Sequence, residues 1–194
     1  MGRAWESPPG NLFASTLVRL QPHDPSPATL TLVAVVALHE VASTYASGVR
    51  FTIKWPNDLM ASGAKLAGIL LEREGNAIVV GIGVNLAHHP KGLDRPVASL
   101  AALIGHAPDA EAFCHDLAAG FARWLGRWRN EGLASVARAW EAAAHASGTA
   151  LTANLSDGES LTGLYVGLDI DGALKLRLAD GSVRVIHAGD VFEV

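Results

Sequence analysis

Lysine, asparagine and aspartate recur at short spacing in two adjoining runs, Lys54-Trp55-Pro56-Asn57-Asp58-Leu59 and Lys65-Leu66-Ala67-Gly68-Ile69-Leu70. The residues from Val49 to Trp55 predict a strand, and Pro56, which has no N–H to give, ends its ladder. Asn57 and Asp58 then stand at a sheet edge or strand end, where polar groups can face a cleft. Lys65 opens the next strand, and Gly68 lets a ligand or another backbone approach closely. A lysine at a strand start beside a carboxylate suits an anionic ligand, either a carboxylate or a phosphate. A surface hairpin with solvated charges fits the same letters, and spacing alone leaves both readings open. A third run, Gly81-Ile82-Gly83-Val84-Asn85, puts two glycines inside an otherwise β-branched strand. Such glycines are costly unless something packs on the bare backbone. Asn85 can then hydrogen-bond a ligand, although a bulge with a turn asparagine also fits. The dinucleotide-binding fingerprint fails here, because no helix opens with a third glycine.

Other reactive side chains are blander. His23, His88, His89, His106, His115 and His145 have no metal-ligand spacing with a cysteine or carboxylate. Cys114 is the sole cysteine; it sits in an alanine-rich helical pattern and reads as a small buried side chain. Asp157, Asp169 and Asp171 are turn formers first. Neither a nucleophile elbow, a P-loop nor a zinc-protease motif is present in the sequence.

The elements that must position these residues follow from pattern. Leu12–Leu20 predicts a strand and Ala28–Ser47 a helix, apolar on nearly every side and therefore expected to be buried against a sheet. Leu66–Glu72 and Ala77–Val84 predict a hairpin about Arg73-Glu74-Gly75-Asn76. Helices are expected over Pro96–Ile104, Asp109–Arg129 and Leu133–His145. The middle one carries Phe113, Leu117, Phe121, Trp124, Leu125 and Trp128 at helical spacing, a stripe that reads as core. After Gly148 the pattern is strand and turn alone, which suggests a small barrel or curled sheet with a boundary near Ser147–Thr149.

The 194 residues allow one medium domain and a small one, with 49% hydrophobic and 18% charged residues, enough to bury a core. A net charge of −4 argues against a dominant nucleic-acid surface. Apolar runs read as too short or too interrupted for a membrane span, and no secretion signal is legible, so a cytoplasmic protein is expected.

Together the three runs resemble the biotin–protein ligase family, whose core is marked by a Lys-Trp-Pro-Asn-Asp stretch, a Lys-Leu-Ala-Gly-Ile-Leu strand and a Gly-x-Gly-x-Asn strand. Gly2-Arg3-Ala4-Trp5-Glu6-Ser7-Pro8 and Asn11-Leu12 match the end of the family's biotin loop and the strand after it. The resemblance implies an α+β fold: a mixed or antiparallel sheet with packed helices, like a class II aminoacyl-tRNA synthetase core. This would occupy residues 1–147, and a small C-terminal β-barrel residues 148–194. It implies ATP-dependent conversion of biotin to biotinyl-adenylate, then transfer to a lysine of the biotin carboxyl carrier protein of acetyl-CoA carboxylase. Lys65 would be catalytic. Arg3, Trp5, Pro8, Asn57, Asp58, Gly68, Ile69, Gly83 and Asn85 would help to bind biotin and its adenylate. No metal-ligating residue is assigned; Mg2+ would arrive with ATP. Neither DNA nor membrane is expected as a partner, and a homodimer is allowed. A lipoate or octanoate ligase shares this logic, and a non-catalytic fragment is the reading from another class.

The resemblance also implies a preceding segment with a serine-threonine pair, a glutamine and most of the loop's arginines. The exposed start of the chain reads as cut open. On that basis this chain is expected to bind biotin poorly and to make little adenylate.

Overall fold

The computed structural model describes residues 8–93, 95–155 and 157–194. Strand β1 (Leu12–Arg19) is followed by a single 3-10 turn, Pro27–Thr29, and by helix α1 (Leu30–Tyr45). Strands β2 (Phe51–Lys54), β3 (Asp58–Ala61), β4 (Ala64–Glu74) and β5 (Ala77–Val84) complete a five-stranded antiparallel sheet of order β1-β5-β4-β3-β2. Alternation sets its faces. Ile78, Val80, Ile82 and Val84 of β5 are buried, whereas Ala77, Val79, Gly81 and Gly83 are only partly so. One face therefore meets the core and the other is open.

The core face is covered by α1. Leu30, Leu32 to Leu38, Val41 and Ala42 are buried, because α1 lies between the sheet and helices α3 (Ala110–Glu131) and α4 (Leu133–Ala143). That double cover explains a helix apolar on nearly every side. With the preceding turn, Pro27–Tyr45 is long and apolar enough to cross a membrane by length and composition. This corrects the expectation that no apolar run reaches a span; here the apolar surface is occupied by packing. The aromatic stripe of α3 is core as expected: Phe113, Leu117, Phe121, Trp124 and Trp128 are buried. The Trp128 indole N–H donates to Thr29 Oγ1 at 2.8 Å, tying α3 to the start of α1.

Two local expectations change. Only Leu100–Ile104 (α2) of the stretch Pro96–Ile104 is helical, capped by the Ser99 side chain. Residues 96–98 are extended instead, because Pro96 O accepts from Lys65 N–H and Ala98 N–H donates to Lys65 O. Strand β3 was not separable from a loop in the sequence. It is four residues long, and the turn into β4 uses Ser62 and Gly63, both at positive φ (50° and 83°).

The last strands, β6 (Ala150–Asn154), β7 (Ser160–Leu168), β8 (Leu174–Arg177), β9 (Val183–Ile186) and β10 (Asp190–Glu193), form a second antiparallel sheet of order β10-β6-β7-β8-β9. Among the described residues β9 and β10 are edges and do not pair, so this is a small sheet and not a closed barrel. Its buried Leu151, Tyr165, Leu174 and Ile186 belong to the same hydrophobic cluster as the first sheet and α1.

Candidate active site

The open face of the first sheet gathers the three motif runs. Lys54 is the cross-strand partner of Asp58, Asp58 of Gly68, Gly68 of Gly83, and Gly83 of Phe13. Such partners project to the same side, so one row of positions crosses all five strands. Asp58 and Lys54 stand at one end and Phe13 at the other. The middle two positions carry no side chain of their own. In the next row Gly81 lies between Leu70 and Ser15. Gly68, Gly81 and Gly83 thus floor a shallow trough. Its wall includes Leu70, which is 63% exposed.

A bulge turns Lys65 onto the same face. The β3–β4 register shifts between Leu59 and Met60, so Leu59 faces Ala67 while Met60 faces Lys65. The extra residue, Leu66, is buried beside Ala67. Lys65 and Gly68, three residues apart, therefore share the open face, which unbroken alternation would forbid. The Lys65 ammonium pairs with Asp58 Oδ1. A Cβ built on Gly68 would lie 3.2 Å from Lys65 Nζ and 3.5 Å from Asp58 Oδ1. The bare backbone of Gly68 thus lets the ion pair stand over the trough. Asp58 is only 8% exposed, and Lys65 supplies the charge that such a carboxylate needs.

Asparagines hold the ends of the trough. Asn57 Nδ2 donates to Ile69 O at 2.7 Å, and Ile69 N–H returns a bond to Asn57 O at 3.0 Å. Asn85 Nδ2 donates to Ala98 O at 3.1 Å, and Asn85 N–H to Leu66 O. Asn11 Oδ1 accepts from Ala87 N–H and His88 N–H, both at 2.9 Å, which fastens the segment after Pro8 to the loop after β5. Ile69 itself points to the core and is 3% exposed. Next to Asp58, burial holds the Lys54 ammonium below the ordinary lysine value; Lys65 and Arg95 push the same way, and Asp58 and Asp190 partly offset it. A groove of about 440 Å³ that shares Asn57 and Leu70 with the trough runs between the two sheets, lined also by Ser26, Trp55, Asp171 and His187 among others. Lys65 and Asp58 are not among its walls.

Comparison with known proteins gives this constellation its context. Residues 1–87 match the Biotin/lipoate A/B protein ligase family, and residues 147–192 match the Biotin protein ligase C terminal domain. A biotin–[acetyl-CoA-carboxylase] ligase of Paracoccus denitrificans is 39% identical over 98% of this chain and 83% of its own length. The chain belongs to the biotin protein ligase family. The bifunctional ligase/repressor of Bacillus subtilis is 29% identical, and the chain spans 61% of its length. The fold of the Aquifex aeolicus biotin protein ligase, solved in complex with biotin and ATP, superposes with a TM-score of 0.87. That alignment covers all of this chain and 83% of the other, at 22% identity.

Within this biotin protein ligase chain, the structure brings together Asp58, Lys65, Gly68 and Gly83 on one face. It leaves Asn57, Ile69 and Asn85 at the margins, with both asparagine Nδ2 groups bonded to main-chain carbonyls. Arg3 and Trp5 lie outside the described residues. Pro8 is partly buried at the segment that leads into β1. Sequence reasoning missed Lys54 as a site residue. Its register with Asp58 is legible only once β3 is known to be a strand.

Proposed function

We propose that this chain is a biotin protein ligase: it activates biotin with ATP and transfers it to a lysine of a carrier protein. The observation that carries the reading is the Lys65–Asp58 pair standing over a three-glycine trough, in a chain of this family. Biotin is preferred to lipoate because of the match at residues 147–192 and the relationship to the Paracoccus ligase.

The chemistry asks for little covalent work from the protein. A biotin carboxylate oxygen attacks the α-phosphorus of ATP and pyrophosphate leaves. The ε-amine of the carrier lysine then attacks the acyl carbon, loses a proton, and AMP departs with the C–O bonding pair. Both steps build negative charge on phosphate oxygens. Lys65 is suited to offset it, and its ammonium is oriented by Asp58 before substrate arrives. The glycine floor lets the flat ureido ring and acyl chain lie on the backbone. Phe13 and Leu70 border that floor and help to exclude water from the mixed anhydride. Asn57 and Asn85 act by holding the strand ends in register.

ATP-bound Mg2+ fits the donor set, because a magnesium ion is commonly held by one or two carboxylates together with phosphates, and Asp58 is the carboxylate in this row. Bound there, it would neutralise phosphate charge. The carrier is the biotin carboxyl carrier protein of acetyl-CoA carboxylase, the enzyme in the name of the Paracoccus relative. Cytoplasmic residence, where ATP and carrier meet, belongs to the same reading. So does a homodimer, supported by the exposed Leu17 of β1 on the open face. Repressor activity is not carried over from the Bacillus relative, since this chain spans 61% of it. The deciding experiment is biotin-dependent exchange of pyrophosphate into ATP, with transfer of labelled biotin to the carrier protein. Absence of both with the folded protein would refute the reading.

A further inference from the structure

Strand β1 ends the first sheet, and its outer side carries no strand among the described residues. The opposite edge, β2, has four residues and is bridged by Ile53 to Ala144. Strand β1 has eight residues, and its pairing with β5 runs without a bulge. Edge strands are commonly blunted by proline, lysine, a bulge or a covering element. The run from Leu12 to Arg19 has neither proline nor lysine.

The ladder shows which main-chain groups this edge presents. Leu20 N–H donates to Asn76 O at 2.8 Å, on the β5 side. Main-chain groups alternate sides along an antiparallel strand, so Val18, Thr16 and Ala14 also face β5, while Leu17, Ser15 and Phe13 turn outward. Arg19 turns outward too, and its carbonyl accepts from Arg129 Nη2 at 2.7 Å. That end of the edge is closed. Ser15 and Leu17 have no main-chain partner on the outer side among the described residues.

The strand is complementary to itself in one register. Outward-turned residues of two antiparallel copies must meet each other. A two-fold axis at Ser15 sets Leu17 of each copy opposite Phe13 of the other on the open face, and Leu12 opposite Val18 on the core face. An axis at Thr16 would set Phe13 opposite Arg19, whose carbonyl is already bonded. Phe13 and Leu17 are 40% and 55% exposed, and the first register covers both. The trough row ends at Phe13. In this pairing it continues into the partner's Leu17, which walls that end of the trough.

We propose that the outer edge of β1 pairs with β1 of a second copy about a two-fold axis at Ser15, and that the partner's Leu17 completes the trough. The interface is isologous, as a two-fold axis requires. This deepens the ligase reading and rests on it for the identity of the ligand in the trough.

The test uses the full chain. Sedimentation should show a dimer that dissociates on dilution. Ser15→Pro removes an outward N–H and none that β5 uses; Leu17→Lys places a charge on the edge. Both should be folded and monomeric, and should bind biotin about threefold to tenfold more weakly, the loss expected when an apolar wall is returned to water. If Ser15→Pro does not fold, Leu17→Lys decides that point alone. Register is read in a Cys114→Ala background. Ser15→Cys should form an intermolecular disulfide, because facing Cα atoms lie about 5.5 Å apart. Arg19→Cys should not, because its two copies stand roughly 26 Å apart along the strands. A monomeric parent protein, disulfides as frequent through Arg19→Cys as through Ser15→Cys, or unchanged biotin affinity in folded monomeric variants would each overturn the proposal. So would a monomer whose Ser15 and Leu17 amides resist hydrogen exchange, since the edge would then be covered from within the chain. A dimer of this register that binds no biotin would refute the ligase reading and leave the strand pairing standing.

Discussion

Lys65 and Asp58 depend on each other in two ways. For catalysis, Lys65→Ala removes the cation that meets the developing phosphate charge. A loss of roughly 10²–10³ in adenylation rate is expected, on the scale of a lost oxyanion donor, and single-turnover adenylate formation would measure it. For stability, the same change takes from Asp58, 8% exposed, the ammonium it is paired with, which is costly for a buried carboxylate. Adding Asp58→Asn should therefore raise the melting temperature of Lys65→Ala while activity stays lost. A double variant less stable than the single one would contradict the pairing. Gly68→Ala probes the floor. Its Cβ would meet the far end of the flexible Lys65 side chain at 3.2 Å, so the fold should survive while the ammonium is pushed aside. Biotin affinity should fall at least about tenfold with little change in stability, a ΔΔG of roughly 1.4 kcal/mol.

At the scale of elements, α1 and the β3–β4 hairpin place these residues. Helix α1 supports the sheet from behind and carries His39, whose ring meets Phe51 edge-on at 6.5 Å between centroids. Burial holds the His39 imidazole below its ordinary value of 6.5, and Glu40 opposes this only in part. The folded protein thus prefers neutral His39. Above pH 6.5 the folded and unfolded chains are both neutral there and this contribution is constant. As pH falls through that value the unfolded chain takes up the proton first, so stability drops, and the loss levels off only below the folded pKa. Thermal unfolding across this window should show the decline, and His39→Gln should flatten it. An unaltered slope in the variant would assign the decline to other groups. The hairpin shows where sequence stops being legible. The lysine-to-glycine spacing is plain in the letters, but its meaning depends on a bulge that buries both Leu66 and Ala67. Strict alternation would have sent Lys65 and Gly68 to opposite faces.

Across the whole molecule, the second sheet is fastened by specific contacts to the end of β2 and to helix α4 and the segment after it. The Trp55 indole N–H donates to Gly172 O at 3.1 Å, Glu141 Oε1 accepts from Leu168 N–H at 3.2 Å, and His145 pairs with Glu193 at 2.7 Å. Gly172 has φ +78°, and a Cβ there would lie 2.9 Å from Leu32 Cδ1 on α1. Gly172→Val should therefore cost about 1–2 kcal/mol for the left-handed backbone alone. It should also loosen the joint and weaken ATP use more than biotin binding. Equal weakening of both substrates would mean that the joint supports the trough itself. Trp128→Ala, far from any substrate, is expected to cost about 3–5 kcal/mol, read by chemical denaturation. It empties the fully buried site between α1 and α3 and leaves Thr29 without its indole partner.

Residue type and periodicity determined a good deal alone. The strand-and-glycine runs, the all-round apolar helix, the aromatic core stripe and the strand-only C-terminal segment follow from local steric and hydrophobic preferences, which act over a few residues. The motif letters carried the family. Tertiary structure alone decided which motif residues meet. Cross-strand register, a long-range hydrogen-bond pattern, brought Lys54, Asp58, Gly68, Gly83 and Phe13 into one row. The bulge turned Lys65 onto the same face. The packing of the second sheet set Phe192 over Lys54, a contact between distant stretches of chain that no local pattern encodes.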